Sequence, residues 1–136
     1  MLGSGLIDQS QKMTAASTFS GDDLRRKDPK FQSPRFQHYL AAVAALDAFA
    51  RKNYGKTVLD LAVRWILDSQ PLSIALWGAR RPDQLEAVRE IEGWRIDEAA
   101  RRQIDAILAR SILDPVSPQF MAPPEARPRE QALAVG

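Results

Sequence analysis

The 136-residue chain contains no cysteine and a single histidine, His38. The first absence excludes a disulfide framework, a thiolate-held zinc or iron–sulfur centre and a thiol nucleophile, and the second excludes a histidine cluster for a metal. No apolar run approaches the roughly 18 residues that a membrane helix needs. The first ten residues have neither a basic start nor an unbroken apolar core, so no secretory signal is expected and the expected location is the cytoplasm. A large excess of one charge is also missing: 19 Lys and Arg face 17 Asp and Glu, for a net charge of +2. Without a basic stripe, that balance argues against a nucleic-acid partner. The basic clusters Arg25-Arg26-Lys27, Arg51-Lys52, Arg80-Arg81 and Arg101-Arg102 mostly fall where a helix would show them to solvent.

What is present is the make-up of one ordinary soluble domain, 45% apolar and 26% charged. Residues 1–30 are rich in Gly, Ser, Thr, Asp and Pro and show no sustained period, so they are expected to be a loop with one helical turn near Asp22 to Arg26. Loops of that length are generally lids or parts of something larger. Ser33 then Pro34 reads as a cap followed by a proline at the first helical position. Phe36, Leu40, Val43, Leu46 and Ala50 recur at helical spacing, and Gly55 supplies a left-handed stop, which predicts a helix over about 34–52. Thr57, with Asp60 three positions on, opens a second helix that ends near Ser69. Gln70-Pro71 breaks it.

Residues 72–77, Leu-Ser-Ile-Ala-Leu-Trp, form a short apolar run stopped by Gly78, and they are the one convincing strand. Pro82 and Asp83 open another helix that runs to about Glu92, and Asp97 caps a last one that ends near Ser111. Five prolines between Pro115 and Pro128 make residues 114–136 a Pro-rich tail, expected to be extended or disordered. There is no internal repeat. A lone buried strand leaves the polar groups of both its edges without partners, so it must pair with another copy or belong to a larger sheet.

The turn Gly78-Ala79-Arg80-Arg81-Pro82-Asp83-Gln84 joins that strand to a helix start. Glycine allows close backbone approach, the helix start offers free N–H donors, and arginine grips phosphate through paired hydrogen bonds, so the turn is a candidate anion site. Strand-to-helix turns of parallel α/β folds are where ligands sit.

Taken in order, Leu2-Gly3-Ser4-Gly5-Leu6-Ile7, Asp22-Asp23-Leu24-Arg25-Arg26 with Pro29-Lys30-Phe31, residues 61–67, Gly78 to Leu85, and Ile104-Asp105 resemble the C-terminal portion of aldo-keto reductases, over about residues 2–108. The resemblance implies an α/β fold, the C-terminal fragment of a (β/α)8 TIM barrel, and an enzyme that moves hydride between NADP(H) and a small carbonyl or alcohol substrate. It divides the chain into a reductase portion, residues 1–113, and the tail. Within that portion, residues 1–32 resemble the segment that covers cofactor and substrate, and residues 33–113 the last helices and the eighth strand. Leu2, Gly3 and Gly5 look like the loop on the pyrophosphate side. Gly78, Arg80, Arg81 and Gln84 match positions that hold the adenosine 2′-phosphate and ribose, and a phosphate dianion suits the arginine fork, which favours NADPH over NADH.

Two departures accompany the resemblance. Where the family commonly carries Glu-Asn against adenine, this chain has Ala87 and Val88. The family's catalytic Asp, Tyr, Lys and His lie on the first half of the barrel, ahead of anything that matches here, so no catalytic residue and no metal ligand is carried over. A barrel of this kind needs about 250 residues. The chain taken alone is therefore expected to be a truncated, inactive portion that exposes apolar faces and self-associates. A second possibility is a small helical interaction protein that uses the apolar face of residues 34–52 and the tail. The tail lacks a basic Pro-x-x-Pro pattern, which weakens it.

Overall fold

A reciprocal capping box fixes the start of the second helix: the Thr57 hydroxyl accepts from the Asp60 N–H at 3.4 Å, and the Asp60 carboxylate accepts from the Thr57 N–H at 2.8 Å. The structure, a computed structural model, describes residues 18–76, 78–79 and 82–117, with only the backbone of residues 83, 86 and 87. Three α-helices carry the fold: α1, Arg35–Tyr54; α2, Val58–Ser69; and α3, Glu98–Ser111. Helix α1 packs on both others. It begins one residue later than the Ser-Pro pattern suggests, with Pro34 at the cap, because the Ser33 hydroxyl accepts from the Gln37 side chain at 3.3 Å and not from the helix backbone. It stops at Gly55, whose φ of 66° is open to glycine at little cost, and the Lys56 N–H turns back to the Ala50 carbonyl at 3.3 Å. Asp97 caps α3 by accepting from the Ala100 N–H at 2.7 Å.

The helical spacing of the apolar residues produces one main core. Leu46, Phe49 and Ala50 of α1, Leu61 of α2, and Ile96 with Ala100, Ile104 and Ile107 of α3 are buried together. Trp65 and Trp94 pack at its edge. A second, aromatic cluster of Phe31, Phe36 and Tyr39 sits at the start of α1. The face of α1 that could have served as an interaction surface is therefore covered within the chain, by α2, α3 and the loop that precedes α1. That loop contains the expected turn, as a 3₁₀ helix at Leu24–Arg26 capped by Asp23, and a second one at Pro29–Phe31 capped by Asp28.

Two expectations need correction. Residues 72–76 form no strand, and none occurs among the described residues. Leu72, Ile74 and Leu76 are 94%, 81% and 95% exposed, while Ser73 and Ala75 between them are half-buried. The alternation of a strand is there, but among the described residues no segment offers the ladder partner that a strand requires. The expected helix from Pro82 is present as a ten-residue 3₁₀ helix, Pro82–Ile91. In a 3₁₀ helix positions three apart eclipse, so Pro82, Leu85, Val88 and Ile91 form one ridge. Along this ridge Ile91 is buried, at 6%, against 50% for Leu85 and 47% for Val88. A start signal of Pro and Asp does not distinguish the two helix types, and little tertiary packing acts here to favour the wider one.

Candidate functional site

Of the Gly-Ala-Arg-Arg-Pro stretch ahead of the 3₁₀ helix, Gly78, Ala79 and Pro82 lie among the described residues. Gly78 and Ala79 are exposed, and a Cβ added at Gly78 would meet nothing within 4 Å. Gly78 is also not among the positive-φ glycines, which are Gly21, Gly55 and Gly93. Among the described residues, neither a positive φ nor a close neighbour requires glycine there. Gln84, half-buried, sits in the first turn of the same helix. Gly78 thus lies ahead of the 3₁₀ helix and Gln84 within its first turn. Leu2, Gly3, Gly5, Trp77, Arg80 and Arg81, and the tail beyond Ser117, lie outside the described residues.

The far end of this helix is anchored by groups that no motif singled out. Arg64 of α2 donates to the Ile91 carbonyl at 3.3 Å and grips Asp68 with two hydrogen bonds, from Nε at 2.9 Å and Nη2 at 2.6 Å. The Asp68 carboxylate also accepts from the Ile96 N–H at 3.0 Å, just before α3. Arg101 of α3 donates to the Asp68 carbonyl and stacks 5.0 Å above the Trp65 ring. Lys56 pairs with Glu90 at 2.6 Å, and the Trp94 indole donates to the Glu90 carbonyl at 2.8 Å. A clamp of three elements therefore holds the C-terminal end of the 3₁₀ helix. The Arg64 and Asp68 spacing of four residues on one helix was the available signal.

Burial pushes the Asp68 carboxyl up, but the Arg64 guanidinium, the Ile96 N–H and the charge of Arg95 outweigh it and hold Asp68 below the usual aspartate value of 3.8. Asp47 behaves alike: burial raises it, while hydrogen bonds from Arg51 and the Val58 N–H bring it below 3.8. A carboxyl depressed in the folded state contributes stability that is complete above the unfolded value and is lost as pH falls through the folded one. The chain should accordingly lose helicity in acid below about pH 4, and Asp68→Asn should flatten that acid limb while leaving the neutral plateau flat. Circular dichroism against pH reads both. Among the described residues there is no cluster of His, Cys, Asp or Glu able to hold a metal, and no helix is long and apolar enough to cross a membrane.

Three packed α-helices, with an exposed strand-like apolar run and a 3₁₀ helix between the second and the third, make up most of the described fold. The Aldo/keto reductase family model matches residues 1–109, and the chain belongs to that family. It is 58% identical over 113 residues to the aldo-keto reductase YhdN of Bacillus subtilis, an alignment covering 83% of this chain and 34% of that protein. The structure of a glycerol dehydrogenase from Gluconobacter oxydans matches with a TM-score of 0.71 and 48% identity, over 82% of this chain and 33% of that one. The chain thus spans about a third of the length of both relatives. Its helices are those of part of the (β/α)8 barrel expected from the sequence.

Proposed function

We propose that this chain supplies the NADP(H)-binding side of an oxidoreductase that transfers hydride between the cofactor and a small carbonyl or alcohol substrate. The observation that carries this is the family match over residues 1–109 together with an open, unstrained Gly78 at the mouth of a clamped helix. Gly78 lets the dinucleotide reach the backbone, Arg80 and Arg81 pair with the 2′-phosphate, and Gln84 takes the ribose. Leu2, Gly3 and Gly5 line the pyrophosphate side. The bound nicotinamide supplies the hydride. Residues 1–32 form the cover over cofactor and substrate, and residues 33–113 form the last helices and, at residues 72–77, the eighth strand. Leu72, Ile74 and Leu76, exposed here, are then the residues that pack once strand neighbours are present, and in isolation they drive self-association. The protein works in the cytoplasm with no nucleic acid or membrane as partner.

Amide hydrogen exchange at Gly78, Ala79 and Gln84, with and without NADPH, tests this assignment. Protection by NADPH that exceeds protection by NADH is expected. No protection by either dinucleotide would overturn the proposal. Gly78→Ala separates the site from the fold: thermal stability should stay within about 0.5 kcal/mol, because the added methyl meets open space. NADPH binding should weaken about tenfold, because the backbone is no longer approachable.

A further inference from the structure

Two segments from opposite ends of the described chain meet on the first turns of α1. From the N-terminal side, the loop of residues 18–32 lays Phe31 against Phe36, with ring centres 5.5 Å apart, and Phe19 edge-on to Phe31 at 5.2 Å. The loop is stapled to itself. Lys30 and Asp28 form an ion pair at 2.7 Å with side chains only 8% and 9% exposed, and Gln32 donates to the Arg26 carbonyl at 2.8 Å. From the C-terminal side, the chain leaving α3 packs Ile112 on the same aromatic cluster. Arg35 then donates to the Asp114 carbonyl at 3.1 Å and pairs with its carboxylate, and the Val116 N–H donates to the Tyr39 hydroxyl at 3.1 Å. Tyr39, 4% exposed, therefore serves both sides: its ring belongs to the cluster that seats the loop, and its hydroxyl holds the C-terminal segment.

We propose that residues 112–117 are a latch for the loop of residues 18–32. Docked, Ile112 keeps water from the rings on which Phe19 and Phe31 rest, and the bonds to Arg35 and Tyr39 hold Ile112 in place. Undocked, the cluster loses one wall and the loop, rigid within itself, loosens from α1 as a unit. Docking of residues 112–117 is thereby coupled to the loop of residues 18–32.

Hydrogen exchange and limited trypsin digestion of the full 136-residue chain test this, since Lys27 is an exposed cleavage site inside the loop. Tyr39→Phe keeps the ring and removes the acceptor, Ile112→Ala removes the wall, and Leu113→Ala changes a neighbouring side chain that is 76% exposed. The first two variants should exchange the amides of residues 23–31 about tenfold faster than wild type and speed cleavage after Lys27, with the amides of α3 unchanged. Leu113→Ala should do neither. Faster exchange confined to residues 113–117, with the loop at its wild-type rate, would overturn the latch. So would acceleration spread equally over α3, which would mark general destabilisation.

Discussion

Asp68→Ala is expected to destabilise the chain by about 3 kcal/mol, since breaking one side of a buried ion pair leaves the other charge uncompensated. The pair is well removed from water, with side chains 15% exposed for Arg64 and 6% for Asp68. Alanine removes both acceptors of the Arg64 fork and also leaves the Ile96 N–H at the entry to α3 without its partner. Each consequence alone is of order 1–3 kcal/mol. Asp68→Asn keeps the shape and one acceptor and should lose less. The double variant Arg64→Met/Asp68→Leu should also lose less than Asp68→Ala, because no buried charge is stranded. It removes the bond from Arg64 to the Ile91 carbonyl, so its cost should show instead as faster exchange along Pro82–Ile91. Urea denaturation midpoints order the three variants. An unfolding free energy for Asp68→Ala within about 0.5 kcal/mol of wild type would mean that the clamp is merely a surface ion pair.

Elements whose causes are local were legible in the sequence. Thr57 with Asp60, Asp97 at the head of α3 and Gly55 behind α1 each act within a few residues, and each acts where expected. The strand at residues 72–77 was legible only as a pattern. Alternation belongs to the segment itself, but the ladder belongs to neighbours that the described residues do not include, so Leu72 and Leu76 stand in solvent. The helix from Pro82 was right in place and different in kind, because the choice between 3₁₀ and α geometry depends on packing that Leu85 and Val88 do not receive. Tyr39 is buried because the loop and the latch both close over it, contacts that come from distant positions in the chain. At the candidate site the order of the residues predicts a turn, of which Gly78, Ala79 and Gln84 are among the described residues. The clamp was not legible, because Asp68 meets Ile96 across 28 positions and Arg101 across 33.

Arg81→Ala is expected to weaken NADPH binding by about 50-fold, the loss of one charge-assisted contact to a phosphate dianion worth roughly 1.5–3 kcal/mol. If Arg81 faces the 2′-phosphate, NADH, which lacks that group, should lose no more than about threefold, the residue of a general positive field that salt screens. Arg81→Lys should fall between, because an ammonium keeps the charge and forfeits the two-pronged geometry. The salt dependence supplies an independent check: wild-type affinity for NADPH should fall more steeply between low and physiological salt than that of Arg81→Ala, whereas affinities for NADH should run parallel. Titration of cofactor fluorescence reads all of these. Equal losses for the two dinucleotides would place Arg81 in the general field or in the fold. The 2′-phosphate contact would then rest with Arg80 alone, and Arg80→Ala becomes the variant that must separate NADPH from NADH.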